Sequence, residues 1–133
     1  MTINILLTGG LGYIGSHIAV ELLNLNDGEN EYNVIIIDNF INSNIEKIEN
    51  IKKFIKNSEK ILFFEIDMLN YDKLDNLFLN NDVNIVIHLA GLKSVNDSIN
   101  NPIMYYENNL VSTLNLIKVM EKYNCKNIIF SSS

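Results

Sequence analysis

Four glycines crowd into positions 9 to 15 of the stretch LLTGGLGYIGSHIAVELL (6–23). Gly10-x-Gly12-x-x-Gly15 and Gly9-x-x-Gly12-x-x-Gly15 are both satisfied there, between an apolar β-branched run and a segment of helical apolar spacing. In that context the glycines divide the work. One lets the chain turn sharply off a strand, Gly12 lets the backbone approach a diphosphate, and Gly15 lets the next helix pack closely on the sheet. The start of such a helix turns free N–H groups and the positive end of its dipole toward phosphate oxygens. A glycine-rich turn without a ligand is the alternative for the same spacing.

Two aspartates extend the pattern. Asp38 ends the run NVIIID (33–38), where a carboxylate can accept hydrogen bonds from both hydroxyls of an adenosine ribose and repel a 2′-phosphate. All the basic side chains are lysines, so no guanidinium is available to hold that phosphate, and NAD is favoured over NADP. Asp67, in EIDML, is placed to reach an adenine amino group, although an isolated aspartate there reads equally as a turn or cap residue. His88 reads as the end of a buried strand and His17 as part of the first turns of a helix; neither has a ligand partner at metal spacing, so no metal site is expected.

These residues need a scaffold, and the chain has a regular beat. INILLT (3–8), NVIIID (33–38), ILFFEI (61–66), NIVIHL (84–89) and NIIFSS (127–132) are short, nearly continuous apolar runs, as expected of strands buried on both faces of a parallel sheet. Helical spacing falls between them at roughly 13–24, 44–57, 71–81 and 99–123. The alternation predicts an α/β, Rossmann-type doubly wound parallel sheet with helices on both faces. The polar loop 24–33 would lie at the N-terminal ends of the strands, away from a ligand. Pro102 is expected in the first turn of the fourth helix.

At 133 residues the chain has the length of one domain. A net charge of −6 and a pI near 4.8 leave no basic stripe for nucleic acid. One cysteine, Cys125, excludes an internal disulfide and fits a reducing compartment. No run approaches the ~20 apolar residues of a membrane span, and MTINILLTGG has no basic leader region. A cytoplasmic protein is the expectation.

Together TGGLGYIGSH, DNFINS, HLAGLKSVNDS, YYENN and NIIFSSS resemble the UDP-glucose 4-epimerases (UDP-galactose 4-epimerases) of the extended short-chain dehydrogenase/reductase family. The resemblance implies that Gly9, Gly12, Tyr13, Ile14 and Gly15 wrap an NAD diphosphate. Asp38, Asn39, Asn42 and Ser43 would hold the adenosine ribose and neighbouring phosphate, and Asp67 and Met68 would flank the adenine. Leu89, Ala90, Gly91 and Lys93 would line the cofactor, Asn108 would reach its side, Ser131 would lie near the nicotinamide, and Ser133 would be the catalytic-site serine. The implied activity is interconversion of UDP-glucose and UDP-galactose, in galactose metabolism, through a 4-keto sugar.

The family's Tyr-x-x-x-Lys motif would come after Ser133. The resemblance therefore implies an incomplete NAD-binding domain over residues 1–133, truncated after the fifth strand, with the C-terminal UDP-sugar-binding domain absent. Such a chain would be inactive alone, with its last strand a bare edge. A homodimer is expected of the full-length family, through apolar spacing like that of Met104 to Met120, and is doubtful for this chain. Two alternatives stay open: a non-catalytic NAD-binding domain, or another extended short-chain dehydrogenase/reductase acting on nucleotide sugars, a 4,6-dehydratase or decarboxylase.

Overall fold

A computed structural model describes residues 1–25, 28–40, 44, 46–92 and 94–131. Five strands, β1 (Thr2–Thr8), β2 (Glu31–Asp38), β3 (Ile61–Glu65), β4 (Ile85–His88) and β5 (Asn127–Phe130), form one sheet. All neighbours pair in parallel, in the order β3-β2-β1-β4-β5. This is the doubly wound order expected of the sequence. The chain leaves β1 toward β2 on one side and returns to β4 on the other, so a crevice opens beyond the carboxyl ends of β1 and β4.

Side-chain alternation splits the core between the two faces. Ile5, Leu7, Val34, Ile36 and Ile87 face Ala19 and Leu23 of α1 (Tyr13–Asn24) and Ile48 and Ile51 of α2 (Glu46–Lys52). Leu6, Ile35, Ile37 and Val86 face Leu74, Leu77 and Phe78 of α3 (Tyr71–Asn80) and Leu116, Val119 and Met120 further along the chain. Burial on both faces is why these strands read as unbroken apolar runs.

Element boundaries depart from the spacing in places with identifiable causes. β2 begins two residues earlier than its apolar run, at Glu31, which pairs with Thr2. α2 stops at Lys52 instead of 57; the Asn24 amide donates to Phe54 O at 2.9 Å and accepts from Lys56 N at 3.4 Å, holding that segment outside the helix.

The expected helix 99–123 begins earlier and is interrupted. α4 (Val95–Asn100) starts at a Ser94 cap, whose hydroxyl accepts from Asp97 N at 3.3 Å. Asn101 leaves the helical region, as a residue before proline tends to, and Pro102 occupies the first turn of α5 (Pro102–Tyr106). A π-helical turn (Glu107–Val111) joins α5 to α6 (Ser112–Lys122). Ser112 and Thr113 donate their hydroxyls to the carbonyls of Asn108 and Asn109, the back-bonding that loosens a regular helical ladder. All four residues of β5 are exposed, and among the described residues it pairs with β4 alone. Among the described residues no helix is long and apolar enough to cross a membrane.

Candidate functional site

A cleft of about 360 Å³ opens at the carboxyl ends of the strands. Its floor is the β1–α1 turn. Gly9 lies at φ +66°, and a Cβ there would stand 2.9 Å from the Ala90 backbone. At Gly15 a Cβ would come 2.7 Å from Gly9 O and 2.8 Å from Gly10 Cα, so the first turn of α1 can sit on the loop only as glycine. Gly12 is different. Its φ of −66° and ψ of 174° suit any residue, and a Cβ would meet only Gly9 O, at 3.2 Å. The fold makes a weak demand for glycine at 12, yet Gly12 lines the cleft. It also stands before α1 without a side-chain cap, and no acidic residue occupies the first turn. That is a cradle suited to an anion.

One wall comes from the end of β2. The Asp38 carboxylate accepts from Leu11 N at 3.2 Å and from Phe40 N at 2.9 Å, tying the glycine loop to β2. Asp67 lines the next stretch and accepts from Leu69 N at 2.9 Å, so its carboxylate shapes the turn as well as facing the cleft. Met68 is buried beside it, and its carbonyl accepts from the buried Asn115 amide at 2.8 Å.

The opposite wall is the β4–α4 loop. Leu89 and Ala90 donate their backbone N–H groups to the Thr8 hydroxyl at 3.1 and 3.2 Å. Leu92 is gripped twice by the Asn109 amide, donating to it at 2.8 Å and accepting from it at 3.0 Å. His88, 1% exposed, sits behind this loop with Nδ1 2.6 Å from Thr8 Oγ1 and Nε2 2.9 Å from Thr113 Oγ1. Burial pushes its pKa below the usual histidine value.

Most of the residues singled out from sequence therefore converge. Gly9, Gly12, Tyr13, Ile14 and Gly15 form the floor, Asp38, Asn39, Asp67 and Met68 one wall, and Leu89, Ala90, Gly91 and Asn108 the other. Ser131 is not in the cleft lining; its N–H donates to His88 O at 3.2 Å, past the end of β5. Asn42, Ser43, Lys93 and Ser133 lie outside the described residues.

Sequence reading did not find Leu92 and Ser112 in the lining, nor Asn109 and Asn115 as clamps of the two walls. Asn-rich helices give no signal for which amide turns inward. Gly10 too has a task the spacing did not assign, since a Cβ there would stand 2.6 Å from the Ile36 side chain.

Sheet order, crevice and glycine turn define a Rossmann-type domain of the doubly wound class. Residues 6–133 match the family model described as GDP-mannose 4,6 dehydratase, and the chain belongs to this family of extended short-chain dehydrogenases/reductases. UDP-glucose 4-epimerase uge1 of Schizosaccharomyces pombe is 45% identical over 129 residues, 97% of this chain and 34% of the relative. UDP-glucose 4-epimerase of Bacillus subtilis is 44% identical over 129 residues, 97% of this chain and 36% of the relative. The Bifidobacterium longum UDP-glucose 4-epimerase, solved in complex with NAD+ and UDP, superposes with a TM-score of 0.89 at 42% identity, over 98% of this chain and 37% of that one. This chain thus spans about a third of the length of the relatives it matches.

Proposed function

We propose that this chain is the cofactor-binding part of an NAD-dependent UDP-glucose 4-epimerase, which interconverts UDP-glucose and UDP-galactose through a 4-keto sugar. The observation that carries the reading is the Gly12 cradle, where the fold itself makes little demand for a missing side chain, in a chain with relatives named UDP-glucose 4-epimerase at 44–45% identity. NAD would supply the hydride acceptor for C4 of the sugar. Gly9, Gly12, Tyr13, Ile14, Gly15 and the N-terminus of α1 would hold its diphosphate. Asp38 and Asn39, with Asn42 and Ser43, would hold the adenosine ribose side, and Asp67 and Met68 the adenine. Leu89, Ala90, Gly91, Lys93 and Asn108 would bound the far wall, with Ser131 toward the nicotinamide and Ser133 toward the reacting sugar hydroxyl.

Residues 1–133 would then be an NAD-binding domain whose UDP-sugar domain belongs to the two thirds of the relatives' length outside the match. With the proton-accepting Tyr-x-x-x-Lys motif outside them, residues 1–133 on their own would bind NAD only weakly and would not epimerise. The exposed row Ile103, Met104, Leu110, Leu114 and Ile117 supports a homodimer of the full-length protein. The single buried cysteine supports a reducing, cytoplasmic location.

The family model's description favours a second reading, a nucleotide-sugar 4,6-dehydratase. AGLKSV and the names of the relatives weigh toward the epimerase. The test is calorimetric titration of the chain with NAD and NADP, followed by assay of the full-length protein on UDP-galactose. NAD binding in preference to NADP, and UDP-glucose as product, are expected. Absence of NAD binding, or a 4-keto-6-deoxy product, would overturn the proposal.

A further inference from the structure

We propose that His88 is a positioning residue for the cleft loop Leu89–Leu92, held as the neutral Nε2–H tautomer by the hydroxyls on either side of it. The direction of each hydrogen bond follows from counting protons. Thr113 has one hydroxyl proton, and it goes to Asn109 O at 2.7 Å. At the 2.9 Å contact between His88 Nε2 and Thr113 Oγ1 the ring must therefore donate. A neutral imidazole has a single N–H, so Nδ1 accepts, and the donor at 2.6 Å is Thr8 Oγ1. That leaves the Thr8 oxygen free to accept, and it does so from Ala90 N and from Leu89 N, the latter shared with the Thr8 backbone carbonyl.

One chain of bonds thus runs from the loop through Thr8, His88 and Thr113 to the backbone of Asn109. The side chain of Asn109 grips Leu92, at the other end of the same loop. The loop is anchored at both ends, and His88 joins the two anchors. A second proton on Nδ1 would compete for an oxygen that accepts from Ala90 N and shares Leu89 N, and would turn away the Thr8 hydroxyl proton, so imidazolium weakens the loop anchor. Against the ring lie Thr8 from β1, Thr113 from α6 and the Phe130 ring from β5, centroids 5.5 Å apart. None of them carries a charge that would stabilise the imidazolium.

The consequence for NAD rests on the proposed function; the tautomer and the anchoring do not. The test compares two half-conserving variants, each checked for folding by thermal unfolding. His88→Asn keeps an acceptor near Thr8 and drops the reach to Thr113; His88→Gln keeps the reach and offers Thr8 no acceptor. Long-range proton–nitrogen spectra of the wild-type imidazole should show Nε2–H. His88→Asn should keep Leu89 and Ala90 protected from amide exchange and hold NAD affinity within about threefold. His88→Gln should expose the Ala90 amide, while Leu89 keeps its bond to the Thr8 carbonyl, and weaken NAD about tenfold or more. Thr8→Val should match His88→Gln, and Thr8→Ser should restore the wild-type behaviour.

An Nδ1–H tautomer, or equal amide exchange in His88→Asn and His88→Gln, would overturn the inference. A wild-type chain that fails to bind NAD would overturn the proposed function, while the ring spectrum and the amide exchange, which need no cofactor, would still decide this one.

Discussion

Alanine at Gly15 and alanine at Gly12 should have opposite signatures, although the two sites are three residues apart in one turn. At Gly15 the new methyl would lie 2.7 Å from Gly9 O and 2.8 Å from Gly10 Cα, both backbone atoms that cannot rotate away. Overpacking costs about 1–3 kcal/mol, and two rigid backbone atoms closer than any ordinary Cβ contact put this site at the upper end, about 2–3 kcal/mol. Better helix propensity returns about 1 kcal/mol, since the site is inside α1. A net loss of about 1–2 kcal/mol follows, which lowers Tm by about 3–10 °C in a chain of this size.

At Gly12 the backbone already suits alanine and the nearest atom is Gly9 O at 3.2 Å. Alanine is a poorer N-cap than glycine by up to about 1 kcal/mol, and its stiffer unfolded chain offsets about 0.4–1 kcal/mol of that. With a small added cost for the tight 3.2 Å approach to Gly9 O, the net loss should stay below about 1 kcal/mol, less than at Gly15. The methyl nevertheless occupies the approach to the diphosphate, and NAD affinity should fall about tenfold or more. Thermal unfolding without cofactor and calorimetric titration with NAD read the two effects separately. A Gly12→Ala Tm that falls as far as that of Gly15→Ala, or an unchanged NAD affinity, would refute the reasoning.

Four further outcomes are expected. Asp38→Asn should weaken NAD about tenfold and narrow its advantage over NADP, measured by parallel titrations, because the repulsion of a 2′-phosphate is gone. Asn115→Ala should leave the Met68 carbonyl without its donor and cost about 1–3 kcal/mol, read as a lower urea midpoint at unchanged slope. His88 has a folded-state pKa below its unfolded 6.5, so below about pH 6.5 the unfolded chain binds more protons and stability falls with falling pH. Urea titrations at pH 5 and 7 should show that part of the fall removed in His88→Asn. Burial raises the Cys125 thiol pKa, and its alkylation at pH 8 should be slow until denaturant opens the core.

The sheet was legible because Leu6, Leu7, Val34, Ile36 and Val86 are enclosed on both faces, and an unbroken apolar run is the direct trace of that enclosure. The glycine turn and Asp38 were legible because their spacing comes from the backbone geometry of one strand-turn-helix unit. The clamps were not. Asn109 and Asn115 act at the far side of the sequence from their partners, 17 and 47 residues away, and nothing local distinguishes them from Asn108 or the exposed Asn100. The break at Asn101 was foreshadowed by Pro102, but the π-turn depends on two hydroxyls reaching back to helix carbonyls, a choice that helical periodicity does not register. His88 was read as a packing residue from its place at a strand end. It is buried as expected, and the hydroxyl on each side of its ring comes from a different element.

β1 is synthesised before the other four described strands and lies in the middle of them. Its β2 neighbour begins at Glu31, but its other neighbour, β4, ends at His88, 80 residues after Thr8. At about 5–20 residues per second of translation, that is about 4–16 s during which one edge of β1 has no partner strand. Leu6 and Leu7, which end completely enclosed, are among the residues waiting. Chaperone demand on this chain should therefore peak while its middle third is being made and fall once β4 arrives, a timing set by strand order rather than by overall stability.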